Sequence, residues 1–288
     1  MIRELTAFLT MGASVLTAAF TWDGSSDIYV TTQANWSGNK APSKNGDVIF
    51  NTGTNTWVEW DFANGATSQI DDLTFTPAAG NFTITSDGTG TLKIGNVDNQ
   101  SSSLQIFDIP LEFQNKETVL AGGPVQFNQA VTTKTGNNQL TFTGGSQIIA
   151  GASNIFDSAI DLILNDTTLN MSNTTQSISS ITISGNSIID FGGSSASLTL
   201  DNLVVTSGTL TIRNWTGDPG DFYVTNTVDP TSVTNVTFEG WGGATWDPID
   251  GVTPNVIPEP AHYGAGLIGL LTLLAIGRRQ SRISTADR

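Results

Sequence analysis

The chain has 288 residues, 26 acidic against 11 basic, for a formal net charge of −15 at pH 7, and only 13% of its residues are charged. An acidic chain without a basic patch is unsuited to nucleic acid, whose binding is dominated by phosphate neutralisation. The absence of cysteine and the single histidine, His262, exclude disulfides, thiol nucleophiles and zinc sites built on Cys or His clusters.

Residues 1–19, MIRELTAFLTMGASVLTAA, open with Arg3, run apolar from Leu5, and end in small residues at Thr17-Ala18-Ala19. This pattern predicts a secretory signal peptide cut between Ala19 and Phe20, with signal peptidase and the Sec translocon as the implied partners.

The body, residues 20–250, carries short runs that alternate apolar residues with Thr, Ser or Asn. They are Asp47-Val48-Ile49-Phe50, 81–85, 91–94, 103–107, 139–143, 180–183, 197–200, 209–212 and 235–238. Alternation with a period of two predicts half-buried strands. Turn clusters such as Asp87-Gly88, Gly122-Gly123-Pro124 and Gly192-Gly193 separate them, and no amphipathic helix interrupts the series. Two all-β architectures fit: a parallel β-helix with coils of about 20 residues, or one or two β-sandwich modules. The recurrence of Leu-Thr-Phe-Thr at 73–76 and 140–143 favours the β-helix.

The seven tryptophans cluster toward the two ends of the body. Trp22, Trp36, Trp215, Trp241 and Trp246 are expected either to close the ends of a solenoid or, if exposed, to stack on sugar rings. No catalytic residue, metal site or cofactor is predicted. The nearest carboxylate pairs, Asp71-Asp72 and Asp218/Asp221, read as solvated turns, and neighbouring strand residues point to opposite faces. Lys93, Lys116, Lys134 and Arg213 are scattered without a motif. Asn-x-Ser/Thr sequons at Asn35, Asn81, Asn165, Asn170, Asn173, Asn214 and Asn235 follow from an Asn- and Thr-rich chain.

A linker, 251–262, contains Pro258-Glu259-Pro260, whose two prolines hold the backbone extended. The uncharged segment 263–277 follows and predicts a transmembrane helix. It would rise roughly 23–26 Å as a helix of about 15–17 residues, short for a hydrocarbon core of about 30 Å. Arg278, Arg279 and Arg282 form a stop-transfer cluster in a basic cytoplasmic tail, 278–288.

Pro-Glu-Pro, one apolar helix and an arginine cluster in this order resemble the PEP-CTERM sorting signal of Gram-negative bacteria, many of them exopolysaccharide producers. The resemblance covers residues 256–282 and implies processing near Pro258-Glu259-Pro260 by an exosortase, a membrane-embedded cysteine protease or transpeptidase. A tail of several residues beyond Arg282 departs from the shorter endings of many members. Thr21-Trp22-Asp23-Gly24, Asn35-Trp36-Ser37-Gly38, Gly46-Asp47 and Val48-Ile49-Phe50 are similar to the opening of proteins with autotransporter-associated β-strand repeats. Residues 103–151 are similar to their rungs, and Asn214-Trp215-Thr216-Gly217 and Phe238-Glu239-Gly240-Trp241 to their closing region. That resemblance implies a right-handed parallel β-helix with Trp-rich caps. Together they imply a protein held briefly in the inner membrane and then placed at the cell surface or in the extracellular matrix. A structural role leads, ahead of a carbohydrate-binding adhesin with exopolysaccharide as partner, and of a polysaccharide-active enzyme.

Overall fold

The computed structural model describes residues 19–255, apart from 89, 116, 117, 194, 217, 219, 227–229 and 249. All of the signal peptide predicted over residues 1–19 except Ala19, together with Pro258-Glu259-Pro260, the helix predicted over 263–277 and Arg278, Arg279 and Arg282, lies outside the described residues.

The nine alternating runs all fall on strands, and the strands coil into a β-solenoid of about eight turns. A first sheet stacks ten strands, from Ala19–Trp22 through Asp47–Phe50, Asp72–Phe75 and Asn96–Asn99 to Phe222–Val224. A second stacks eleven, from Trp57–Trp60 through Thr83–Ser86 and Gln105–Asp108 to a terminal hairpin. Leu92–Ile94, Leu111–Phe113 and Val131–Thr133 form a short third sheet. Pairing along the solenoid is parallel, between strands one coil apart, which removes the β-sandwich alternative. Register partners are separated by 25 residues from Val48 to Leu73, 19 from Leu164 to Ile183, and 24 from Leu200 to Val224. The coil length therefore varies while the stacking does not, which is why no strict repeat is visible in the sequence.

Alternation sets the core. In Asp47–Phe50, Val48 and Phe50 point inward and are fully buried, while Asp47 and Ile49 sit on the half-exposed face. Stacked coils bring like positions together, and an aromatic spine results. Trp22 and Trp36 meet edge to face at 5.0 Å, Phe50 stacks on Phe75 at 5.2 Å, and Phe107 stacks on Phe127 at 5.5 Å. In the first sheet the spine stops where Asn99 pairs with Phe75. Asn99 is fully buried, donating to the carbonyls of Ser103 and Pro124 and accepting from the Ser101 N–H. The aromatic column continues instead through Phe107 of the second sheet, 6.1 Å from Phe75.

Corners are closed by left-handed residues and by buried amides. Gly122 has φ +90°, and a Cβ there or at Gly123 would overlap the backbone of Asn99 or Ser101 in the coil below. Gln105 is fully buried at one corner. Its Oε1 accepts the Phe82 N–H at 3.0 Å, and its Nε2 donates to the carbonyls of Gly80 and Ser103, each at 3.0 Å. Gln176 repeats the device further along, accepting from the Ile155 N–H and donating to the Ala152 carbonyl and Thr174 Oγ1.

Each end is closed differently. At the first, a loop carrying the short 3-10 helix Gln33–Asn35 folds over the opening coil. Asn35, fully buried, accepts from the N–H groups of Ser26 and Asp27 and donates to Asp27 and to the Tyr29 carbonyl. At the other, Gly242–Asp247 and Gly251–Pro254 form an antiparallel hairpin, with the five-residue helix Pro230–Thr234 beside it. Val252 is 1% exposed, so the folded body runs on through Pro254, past the boundary at 250 expected from composition. Both closures hide coil edges that would otherwise pair with another chain.

Candidate functional site

The tryptophans expected at the caps divide by burial. Trp22 and Trp36 are each 1% exposed, with Trp22 Nε1 donating to the Asn55 carbonyl at 3.0 Å and Trp36 Nε1 to the Val30 carbonyl at 2.8 Å. Neither presents a ring face to solvent, so neither can stack on a sugar. Trp215 packs edge to face on Phe238 at 5.1 Å and on Trp241 at 5.8 Å, and Trp246 donates to the Val224 carbonyl at 3.3 Å. Of the five, only Trp241 is a well-exposed ring.

Ala19 and Phe20, the expected cleavage pair, open the first strand of the first sheet. Ala19 is exposed. Phe20 is buried beside Gly46, with Lys40 Nζ over its ring at 5.7 Å. Scission between them would leave every described core residue in place.

A concavity lined by polar and aromatic side chains lies on the outer face of the second sheet, at a position that the sequence did not single out. It is an open groove of about 470 Å³ where the strands turn toward the third sheet. Alternation places Trp57 and Glu59 outward from Trp57–Trp60 and sends Val58 and Trp60 into the core. Stacking then aligns two rows on this face. Trp57 pairs with Thr83, which pairs with Ile106. Tyr29 bridges to Glu59, which pairs with Thr85, which pairs with Asp108. Glu59 and Asp108 thus stand two strand spacings apart, about 9.6 Å at the backbone, with Thr85 between them. Thr85 Oγ1 turns back to the Val58 carbonyl at 3.2 Å, and Gln129 Nε2 donates to Asp108 at 3.1 Å. Ser86 and Pro110 complete the walls.

The two carboxylate pairs read from sequence lie elsewhere. Burial raises the Asp71 carboxyl above its ordinary range, and the charges of Asp72 and Asp47 raise it further. Burial likewise raises Asp221, the hydrogen bond from Thr216 lowers it, and Asp218 adds to the rise. Asp27 in the first cap is opposite in sign. Its burial raises it, but hydrogen bonds from the Tyr29 N–H, Thr32 Oγ1 and Asn35 Nδ2 outweigh that and hold it low. Among the described residues no three carboxylates or histidines converge as a metal site. Nor, among them, is any helix long and apolar enough to cross a membrane.

A carboxyl raised by folding costs stability once it ionises. The cost is absent below the unfolded-state value and fully present above the raised native one. Asp71→Asn is therefore expected to raise the melting temperature at pH 7 and to lose that gain as the pH falls through the carboxylate range. The gain is less than about 1 kcal/mol for so exposed a cluster. Thermal melts of both proteins across pH 3–8 check this, and a gain that persists at low pH refutes the assignment.

No protein-family model matches the chain, and neither does any curated protein or solved structure compared with it.

Proposed function

We propose that this is an exported structural protein of a Gram-negative cell surface or extracellular matrix, translocated by Sec and sorted by an exosortase through Pro258-Glu259-Pro260. In this reading signal peptidase cuts between Ala19 and Phe20. The segment 263–277 then halts in the inner membrane against Arg278, Arg279 and Arg282, and processing frees the body, a right-handed coil, for the matrix. The observation that carries the structural role is how the body uses its side chains. Its aromatic and aliphatic groups line a continuous core, and many of its polar groups are spent on bonds between coils, as with Asn96 Nδ2 to Asp72 at 2.8 Å and Ser180 Oγ to Asp161 at 2.6 Å. Such a solenoid is self-supporting outside the cell without disulfides. The exposed Ala19 beside the buried Phe20 supports the expected cleavage point.

Deleting Pro258-Glu259-Pro260 in an exosortase-bearing host tests the sorting step. The intact chain is expected to appear outside the cell at reduced mass, and the deletion variant to stay in the inner membrane unprocessed at its C-terminal side. Identical mass and location of the two products would refute it.

A further inference from the structure

We propose that the groove beside Trp57 is a binding site for a neutral oligosaccharide. Four large apolar side chains are well exposed on the described surface: Tyr29, Trp57, Val204 and Trp241. Two of them share this face: Trp57, 53% exposed, and Tyr29, 40% exposed, which bridges to Glu59 two residues from Trp57. The fold does not require a ring at Trp57. Thr83, its register partner one coil on, meets the same outward position with a small hydroxyl side chain. Apart from the partly buried Phe62, the other described aromatic rings of this half of the solenoid lie in the core, so two neighbouring exposed rings beside a groove mark an interaction surface.

The polar groups around the rings suit sugar hydroxyls. Glu59 and Asp108 are hydrogen-bond acceptors on the same row, and the Ser86 hydroxyl can donate or accept. Gln129 both holds Asp108 and retains donor capacity of its own. An apolar face beside convergent polar groups is what a pyranose ring offers in reverse, with its C–H face on the indole and its hydroxyls on the carboxylates. The volume of about 470 Å³ falls within the range of roughly 300–1,000 Å³ usual for small-ligand sites. Charge decides between neutral and acidic glycans. Among the described residues no lysine or arginine lines the groove, and the chain carries −15, so a uronate polymer would meet the carboxylates of Glu59 and Asp108. The site stands independently of the sorting reading, because purified protein suffices to test it.

The test is calorimetric titration of the full-length chain in detergent with β-1,3-glucan, β-1,4-glucan, mannan and galactan oligomers, and with oligogalacturonate. At least one neutral oligomer is expected to bind, and oligogalacturonate to bind at least tenfold more weakly. Trp57→Ala is expected to weaken the neutral ligand tenfold or more with an unchanged melting temperature, since the side chain points outward. Trp57→Phe is expected to recover part of the affinity, and Trp241→Ala to leave it unchanged. Binding of none of the neutral oligomers, a preference for oligogalacturonate, or full affinity in Trp57→Ala would each overturn the assignment.

Discussion

Trp36→Ala is expected to destabilise the body by about 3–5 kcal/mol, the usual cost of emptying a buried aromatic site. Trp36 closes the first coil: it meets Trp22 edge to face, lies 6.4 Å from Phe50, and ties the covering loop down through its bond to the Val30 carbonyl. Removing it opens a cavity at the head of the aromatic spine and frees the loop that carries Asn35. A solenoid is stabilised chiefly by contacts between neighbouring coils, so the damage should be local. Amides of the strands Ala19–Trp22 and Asp47–Phe50 are expected to lose hydrogen-exchange protection, while those of Ser187–Asp190 keep theirs. The uncovered edge should also promote end-to-end association, visible by light scattering. A loss below 1 kcal/mol in denaturant unfolding, with the first coil still protected, would show that the cap is held by other contacts.

Gln105→Leu is expected to cost about 1–3 kcal/mol, although leucine fills nearly the same volume. The substitution leaves the buried Phe82 N–H and the Gly80 carbonyl without the Gln105 amide, while the Ser103 carbonyl keeps its bond from Asn99 Nδ2. Each stranded buried group costs roughly 1–3 kcal/mol. Gln176→Leu should behave alike for the Ile155 N–H and the Ala152 carbonyl. The two sites share no partners, so the double variant should lose the sum of the single losses. A Gln105→Leu protein within 1 kcal/mol of the parent would mean that water enters the corner and replaces the amide. Exchange at the Phe82 amide separates the cases: rapid exchange marks a stranded group, and retained protection marks a bridging water.

The strands themselves were legible. Leu73-Thr74-Phe75 and Leu140-Thr141-Phe142 announce strands with one buried face, and both are strands of the first sheet. The aromatic caps were legible as a tendency, because Trp is costly to leave exposed and an open coil end must be covered. The division among the tryptophans was not. Within Trp57-Val58-Glu59-Trp60 alternation shows that the two rings face opposite ways, but not which one is inside. Pairing with Thr83–Ser86 settles that, burying Trp60 and leaving Trp57 out. The groove was wholly hidden, since Tyr29, Glu59 and Asp108 are far apart in the chain and meet only because their coils stack. The corner glutamines were hidden for the same reason: a Gln in a polar run carries no sign of burial.

By itself, then, the sequence determined the strand type, the absence of cysteine and histidine from the body, and the acidic charge. These are local or compositional properties. Only the tertiary structure decided the number of sheets, the corner amides, the length of the folded body and the face on which Trp57 stands. Those depend on coil length, which drifts between 19 and 28 residues while the spacing between stacked strands stays constant. The polypeptide absorbs the difference in its corners, and the stacking distance alone brings distant residues into register.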